Sequence, residues 1–407
     1  MRIVTIGPFL SLLQFAPGID PRSDEYPQIL ASLPADSGTF EVPNRRVKRD
    51  FDSVEADDYD LRLFVWRPTP VEGEPQAAFH IYPYGASVVR LDFTIADNFD
   101  ADALEADTQA LTRQAFDRHS AELNSILKKI HRAIKADFVE PLSSPPAVSA
   151  ESIRWVARAV VVSEADRNRP DYEQFYADWL TNTSSPEDVE LLKSGDIDHS
   201  MTWLNYIVIG DDMEKLRPLF STTRTAQMFY AAQDRLSDEA FKVLSKATVT
   251  KGVRGIEAML IRSRAHMQML QILHDRQLGL LSRSNRRRFD GLMEAWDFSK
   301  LIENGNRIVD MTSRRIDEIN TRRTEKSSFY TDLILVGIAM LTVVEVSLYF
   351  SEYSREMMSR PALEYTDAST SSVMAFIASV DTDMLLLMGF SSVFILVLLY
   401  VYWKLRR

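Results

Sequence analysis

The stretch MLTVVEVSLYF, residues 340–350, is apolar but for Thr342, Ser347 and one carboxylate, Glu345, near its middle. It closes a longer run, LILVGIAMLTVVEVSLYF, Leu333–Phe350, in which Glu345 is the only charged side chain. At about 1.5 Å rise per residue the run covers roughly 27 Å as a helix, close to the ~30 Å hydrocarbon core of a bilayer. Phe329 and Tyr330 stand just ahead of it as aromatic interface anchors. A second run, MLLLMGFSSVFILVLLYVYW, Met384–Trp403, carries no charge and ends in Tyr400, Tyr402 and Trp403, followed by Lys404, Arg406 and Arg407. Soluble core helices are seldom apolar on every face over such a length, so two membrane spans are expected rather than two buried helices.

Charge sets the expected orientation. Arg314, Arg315, Arg322, Arg323 and Lys326 precede the first span, and Lys404, Arg406 and Arg407 follow the second. The loop between them, Ser351–Asp383, holds Arg355 and Arg360 against Glu352, Glu356, Glu364, Asp367, Asp381 and Asp383. The positive-inside rule then places both termini in the cytoplasm, with the loop on the far side.

The 407 residues leave ample chain ahead of the spans for one or two domains with real cores. A formal net charge of −11 argues against nucleic-acid binding, since no surplus of Lys and Arg exists to neutralise phosphates. The absence of cysteine excludes disulfides, thiolate metal sites and Cys nucleophiles. The opening MRIVTIGPFLSLLQFAPG resembles a signal peptide only superficially. Gly7-Pro8 interrupts its apolar run, and a first strand and turn are expected there.

Strands are expected at Arg2–Ile6, Tyr59–Trp66, Ala77–Tyr82 and Ser87–Thr94, with Pro83-Tyr84-Gly85 as a hairpin turn. From 101 to 138 the period changes to that of a helix, capped by Asn98 or Asp100. EPLSSPPAVS, residues 140–149, reads as a linker, followed by strands at Ile153–Ser163 and Met201–Ile209 around a helix near Tyr172–Leu180. From about Asp212 the pattern is helical. No proline occurs between Pro218 and Pro361, so a helix from about Asn285 is expected to continue unbroken into the first span. The fold class is thus an α+β cytoplasmic domain followed by a long helical stalk and two C-terminal transmembrane helices. The segments are 1–140, 141–211, 212–328 and 329–407, with no internal repeat.

The proline-free Asn285–Phe350, the second run Met384–Trp403 and the closing Lys404-Leu405-Arg406-Arg407 resemble, in layout, the CorA-like two-span cation transporters and channels. That resemblance implies a homo-oligomer, a pentamer in the family, with the first span lining a pore and the second outside it. The family's Gly-Met-Asn tripeptide after the first span is replaced here by FSEYSREMMSR, so magnesium selectivity is not implied. The ending RTEKSSFYTDLILVGIAMLTVVEVSLYF and the piece YPYGASVV are also similar to a tail-anchored family needed for mitochondrial translation and meiotic division, whose members usually stop after one span.

On helical geometry Thr331, Leu335, Ile338, Thr342, Glu345 and Tyr349 form one stripe, spaced four, three, four, three and four. A mid-span carboxylate facing lipid costs about 2.5 kcal/mol or more, so Glu345 should face protein or water. Three roles remain open: a ring of carboxylates lining a cation pore, a bond to a neighbouring helix, or reach to the headgroups. Arg283, Arg286, Arg287 and Arg288 are candidates for an anionic ligand, with salt links to acidic neighbours as the plainer alternative. The six histidines, His80, His119, His131, His199, His266 and His274, show no metal-ligand spacing and read as core or surface residues. No P-loop, GxSxG or GxGxxG motif occurs, so neither an enzyme nor a cofactor is expected. The expected function is passage of cations across the bacterial inner membrane, with gating by a cytoplasmic ligand or action as a signal-gated effector. The alternative is a non-conducting, membrane-anchored scaffold or sensor.

Overall fold

A computed structural model describes residues 1–11, 13–14, 38–42, 61–133, 147–180, 186–201, 203–249, 254–359, 372, 376 and 379–406. The chain forms two compact units, Met1–Ile316 and Asp317–Arg407. The helices up to Ile316 therefore belong to the same unit as the strands, whereas the sequence pattern suggested divisions at 140, 211 and 328.

The first unit is built on an eight-stranded sheet. Its strands are β1 (Arg2–Phe9), β2 (Thr39–Glu41), β3 (Phe64–Arg67), β4 (Gln76–Ile81), β5 (Ser87–Thr94), β6 (Ala157–Val162), β7 (His199–Met201) and β8 (Asn205–Ile209), in the order β2-β3-β4-β5-β1-β6-β8-β7. Every pairing is antiparallel except β6 with β8. That parallel pair needs a crossover, supplied by α2 (Pro170–Leu180) and α3 (Pro186–Ser194). Where one strand was expected over Met201–Ile209, the chain instead turns back on itself as the β7–β8 hairpin.

The expected break at Gly7-Pro8 does not occur. β1 runs through both residues to Phe9, with Pro8 opposite Val88 of β5. On its other flank, pairing with β6 stops at Ile6, and the Pro8 carbonyl accepts a hydrogen bond from Arg154 N at 2.9 Å. The proline nitrogen faces that same flank, past the end of the ladder, where no donor is required.

Alternation along β1 sends Ile3, Thr5 and Phe9 to one face of the sheet and Arg2, Val4 and Ile6 to the other. The first face is covered by α1 (Ala101–Ala133) and α2. Phe116, Leu123, Ile126 and Ile130 of α1 join Phe9, Trp66, Phe79 and Leu91 in one core. Tyr172, Phe175, Tyr176 and Trp179 of α2 join Ile3, Val160, Ile207 and Ile209 in another. The Trp179 indole donates to the Tyr206 carbonyl at 3.1 Å, so its polar edge is buried at little cost. Asp100 caps α1 as expected, its carboxylate accepting from Ala103 N at 3.0 Å.

The second face meets α4 (Met213–Val249), which packs against β1, β5, α5 (Arg254–Leu278) and α6 (Arg283–Ala295). Every residue from Leu219 to Phe229 is buried, including Thr222, Thr223 and Thr225. These hydroxyls donate to the carbonyls of Pro218, Leu219 and Ser221, so the polar run is satisfied within its own helix.

α6 ends at Trp296, and Asp297 takes a left-handed conformation, φ 52°. A new helix, α7 (Phe298–Ser359, 62 residues), starts there, with Asp297 accepting from Lys300 N and Lys300 Nζ. The unbroken helix expected from about Asn285 is thus divided. No proline was needed, because Asp is among the few residues that adopt this backbone and bond the next turn. α8 (Thr382–Arg406) carries the second apolar run. Most of the linker 140–149 and of 371–380 lies outside the described residues.

The turn between β4 and β5 locks the strands to α4. Gly85 has φ +79°, donates to the Leu13 carbonyl at 2.9 Å and lies directly under the Arg235 guanidinium, which also bonds Gln14 and Glu239. A Cβ here would meet strain and the arginine together. Gly85→Ala is expected to destabilise the fold by about 1–3 kcal/mol, read as a lower denaturant midpoint by tryptophan fluorescence.

Candidate functional site

Among the described residues one helix, Phe298–Glu356 within α7, is long and apolar enough to cross a membrane. Thr331, Leu335, Ile338, Thr342, Glu345 and Tyr349 are all exposed on it and do share a stripe. The Thr331 and Thr342 hydroxyls bond back to Ser327 and Ile338 carbonyls, each at 3.0 Å, and so present no unsatisfied polar group. A neighbouring stripe, Asp332, Val336, Met340, Val344 and Ser347, is partly covered. α8 approaches on that side: a Cβ built on Gly389 would lie 3.9 Å from Val343 Cγ1. In the single chain the Glu345 stripe is exposed, as are most other positions from Leu333 to Phe350.

The four arginines near the start of α6 do not gather around a common point. Arg283, Arg286 and Arg287 are exposed, Arg286 pairs with Asp290 at 3.7 Å, and Arg288 donates to Asn285 Oδ1 at 3.0 Å.

A different set of arginines does converge. A cavity of about 360 Å³ lies between the second face of the sheet and the first turns of α4, lined by Arg2, Arg62, Arg67, Arg90, Arg217 and Arg224. The register explains the convergence. Ala78 of β4 is opposite Arg90 of β5, and Gln76 is opposite Asp92, so these side chains and His80 share one face with Arg2 of β1. The small Ala78 leaves room above the sheet. From α4, Glu214, Arg217, Ser221 and Arg224 recur at helical spacing and form the facing wall.

Glu41, Asp92 and Glu214 also line the cavity. Arg90 grips Asp92 through two bonds of 3.0 and 2.9 Å and rests over the Phe220 ring. Arg67 holds Glu41 at 2.7 Å, and Arg217 reaches Glu214 at 3.4 Å. Arg224 donates to Ser221 Oγ at 3.1 Å. Among the described residues six guanidiniums thus face three carboxylates, a local positive excess in a chain whose net charge is −11.

The titratable groups report that excess. Burial depresses the His80 pKa well below its ordinary value, and the fields of Arg224, Arg62, Arg90 and Arg67 push it further down. The ring is neutral at pH 7, and Arg62 Nη1 lies 3.4 Å from its Nδ1, an arrangement that puts the ring proton on Nε2. Burial alone would raise Glu41. The hydrogen bond from Arg67 and the fields of Arg62, Arg67 and Arg217 outweigh it and hold the carboxyl below its usual range.

Among the described residues no group of three or more His, Asp or Glu converges as a metal site. Comparison with family models, with curated proteins and with solved structures finds no match for this chain. The cavity was not anticipated because its arginines are scattered from Arg2 to Arg224. Two local signals existed: Arg90 and Asp92 alternating within the β-branched SVVRLDFT, and Glu214, Arg217, Ser221 and Arg224 on one helical face.

His199 of β7 shares the behaviour of His80. Burial lowers its pKa to about 4, helped by Arg288 and opposed by Asp198 and Asp188. The unfolded chain takes up these protons near pH 6.5, the folded chain only at lower pH. Between those values the unfolded state binds more protons, so stability falls as pH falls, by up to ~1.4 kcal/mol per pH unit and ring. Denaturant midpoints are expected to drop between pH 6.5 and 5, and His199→Gln to flatten that slope.

Proposed function

We propose that the chain is a membrane-anchored homo-oligomer in which α7 lines a path for cations. In this reading α7 and α8 both span the bacterial inner membrane, with the sheet-bearing unit and the C-terminal tail in the cytoplasm. What carries it is the placement of Glu345. It is the single charged side chain in the apolar run of α7 and it lies exposed there. A carboxylate in that position is stable against water or protein, not against acyl chains. Several copies meeting along the stripe would give it water, and the resulting ring would attract cations. The layout shared with CorA-like proteins supports this arrangement and suggests five copies. The basic flanks of both apolar runs support the orientation.

A second reading is favoured by the arginine-lined cavity: the spans tether a sensor domain and conduct nothing. Flux through proteoliposomes separates the two. Full-length protein is expected to pass monovalent cations in preference to chloride, and Glu345→Gln to reduce that preference several-fold. Equal preference in the variant would remove Glu345 from the path. Sealed vesicles with correctly inserted wild-type protein would leave the tether.

A further inference from the structure

We propose that the cavity between strands β3–β5 and the first turns of α4 binds a small, multiply charged, phosphate-bearing anion. This inference goes beyond ion passage and stands whether or not the membrane segment conducts.

Charge is the first argument. Six guanidiniums and three carboxylates share a space of about 360 Å³. Like charges held together in a partly dehydrated site repel, and an oxyanion relieves that repulsion. Placement shows that the excess is built into the frame. Arg90 rises from a strand paired on both sides, Arg62 and Arg224 are each only 6% exposed, and Arg217 and Arg224 come from a helix packed against the same sheet. These are not solvated surface side chains that happen to be close.

Chemistry narrows the ligand. Guanidinium forks match oxyanions in two-point bonds. Here they arrive from three directions: Arg90 from the floor, Arg217 and Arg224 from the helix wall, and Arg62 and Arg67 from the β3 side. A carboxylate has two oxygens in one plane and cannot meet three such directions, whereas a phosphate group presents oxygens tetrahedrally. Among the described residues the lining holds no Phe, Tyr or Trp, and its apolar members are Ala77, Ala78 and Met213. Recognition is therefore ionic, with no ring to stack on a nucleobase. The volume falls within the ~300–1,000 Å³ typical of small-molecule sites, enough for more than one phosphate.

Phosphate could be presented by a soluble compound or by a lipid headgroup. The test uses full-length protein in phosphatidylcholine nanodiscs, titrated calorimetrically with pyrophosphate at constant ionic strength, with sodium chloride as control. Saturable binding is expected with pyrophosphate and none with sodium chloride. Arg217→Gln and Arg2→Gln, at the cavity rim, are expected to weaken it about ten-fold or more each, and Arg224→Gln at least as much. Denaturant midpoints for all three verify folding, and the rim variants keep the test decisive should Arg224→Gln fail it. Replacing part of the phosphatidylcholine with phosphatidic acid identifies the source: loss of pyrophosphate binding assigns the site to a lipid headgroup, and unchanged binding to a soluble ligand. The proposal is overturned if pyrophosphate does not bind, or if folded rim variants bind it as wild type does. It is equally overturned if Arg286→Gln and Arg287→Gln on α6 abolish binding and the cavity variants do not.

Discussion

Helix α4 is enclosed, and the arrangement of the first unit depends on that enclosure. From Leu219 to Phe229 every residue is buried, with β1 and β5 on one side and α5 and α6 on others. A helix in that position gains by bonding the polar groups it carries, and α4 carries many. Its threonines bond back to preceding carbonyls, and Arg235 is tied to Gln14, Glu239 and the turn at Gly85. Near its N-terminus the same helix departs from the sheet enough to leave a cavity, and there its polar residues face strand residues instead of a closed core.

The two faces of the sheet consequently do different work. On the α1 and α2 face the side chains are almost wholly apolar or aromatic, and the few polar ones are matched, as when Arg158 meets Glu105 at 3.1 Å and Asn205 at 2.9 Å. This face supplies hydrophobic stability, since burial of large rings yields most per residue. On the α4 face, Arg2 of β1, Arg90 and Asp92 of β5, and the polar Gln76 and His80 of β4 alternate with those core residues. A one-residue slip of β5 would bury Arg90 among Phe9, Phe79 and Phe116 and expose Leu91. The apolar core on one face therefore fixes which charges converge on the other.

In the second unit the constraint is of another kind. An apolar helix with one carboxylate needs a surrounding that the single chain leaves open on the Glu345 stripe. The anion cavity and the Glu345 stripe are opposite in sign, and they sit in separate compact units.

What the sequence determined by itself was whatever depends on short-range pattern. The strands β1, β4 and β5, a helix beginning at 101 with an Asp100 cap, the hairpin at Gly85 and the apolar run of α7 were legible, because local periodicity and capping chemistry express them. The division at Asp297 and the passage of β1 through Pro8 were not. Each turns on which neighbour a backbone group meets, and Pro8 is harmless only because β6 stops at Ile6. Arg283 and the adjacent Arg286, Arg287 and Arg288 are close in sequence, yet they spread over one helix start. The arginines that converge lie on four separate stretches, from Arg2 to Arg224, and only strand register and the packing of α4 bring them together. Charge proximity in space is a property of tertiary structure, because Coulomb interaction depends on distance and burial and not on spacing along the chain.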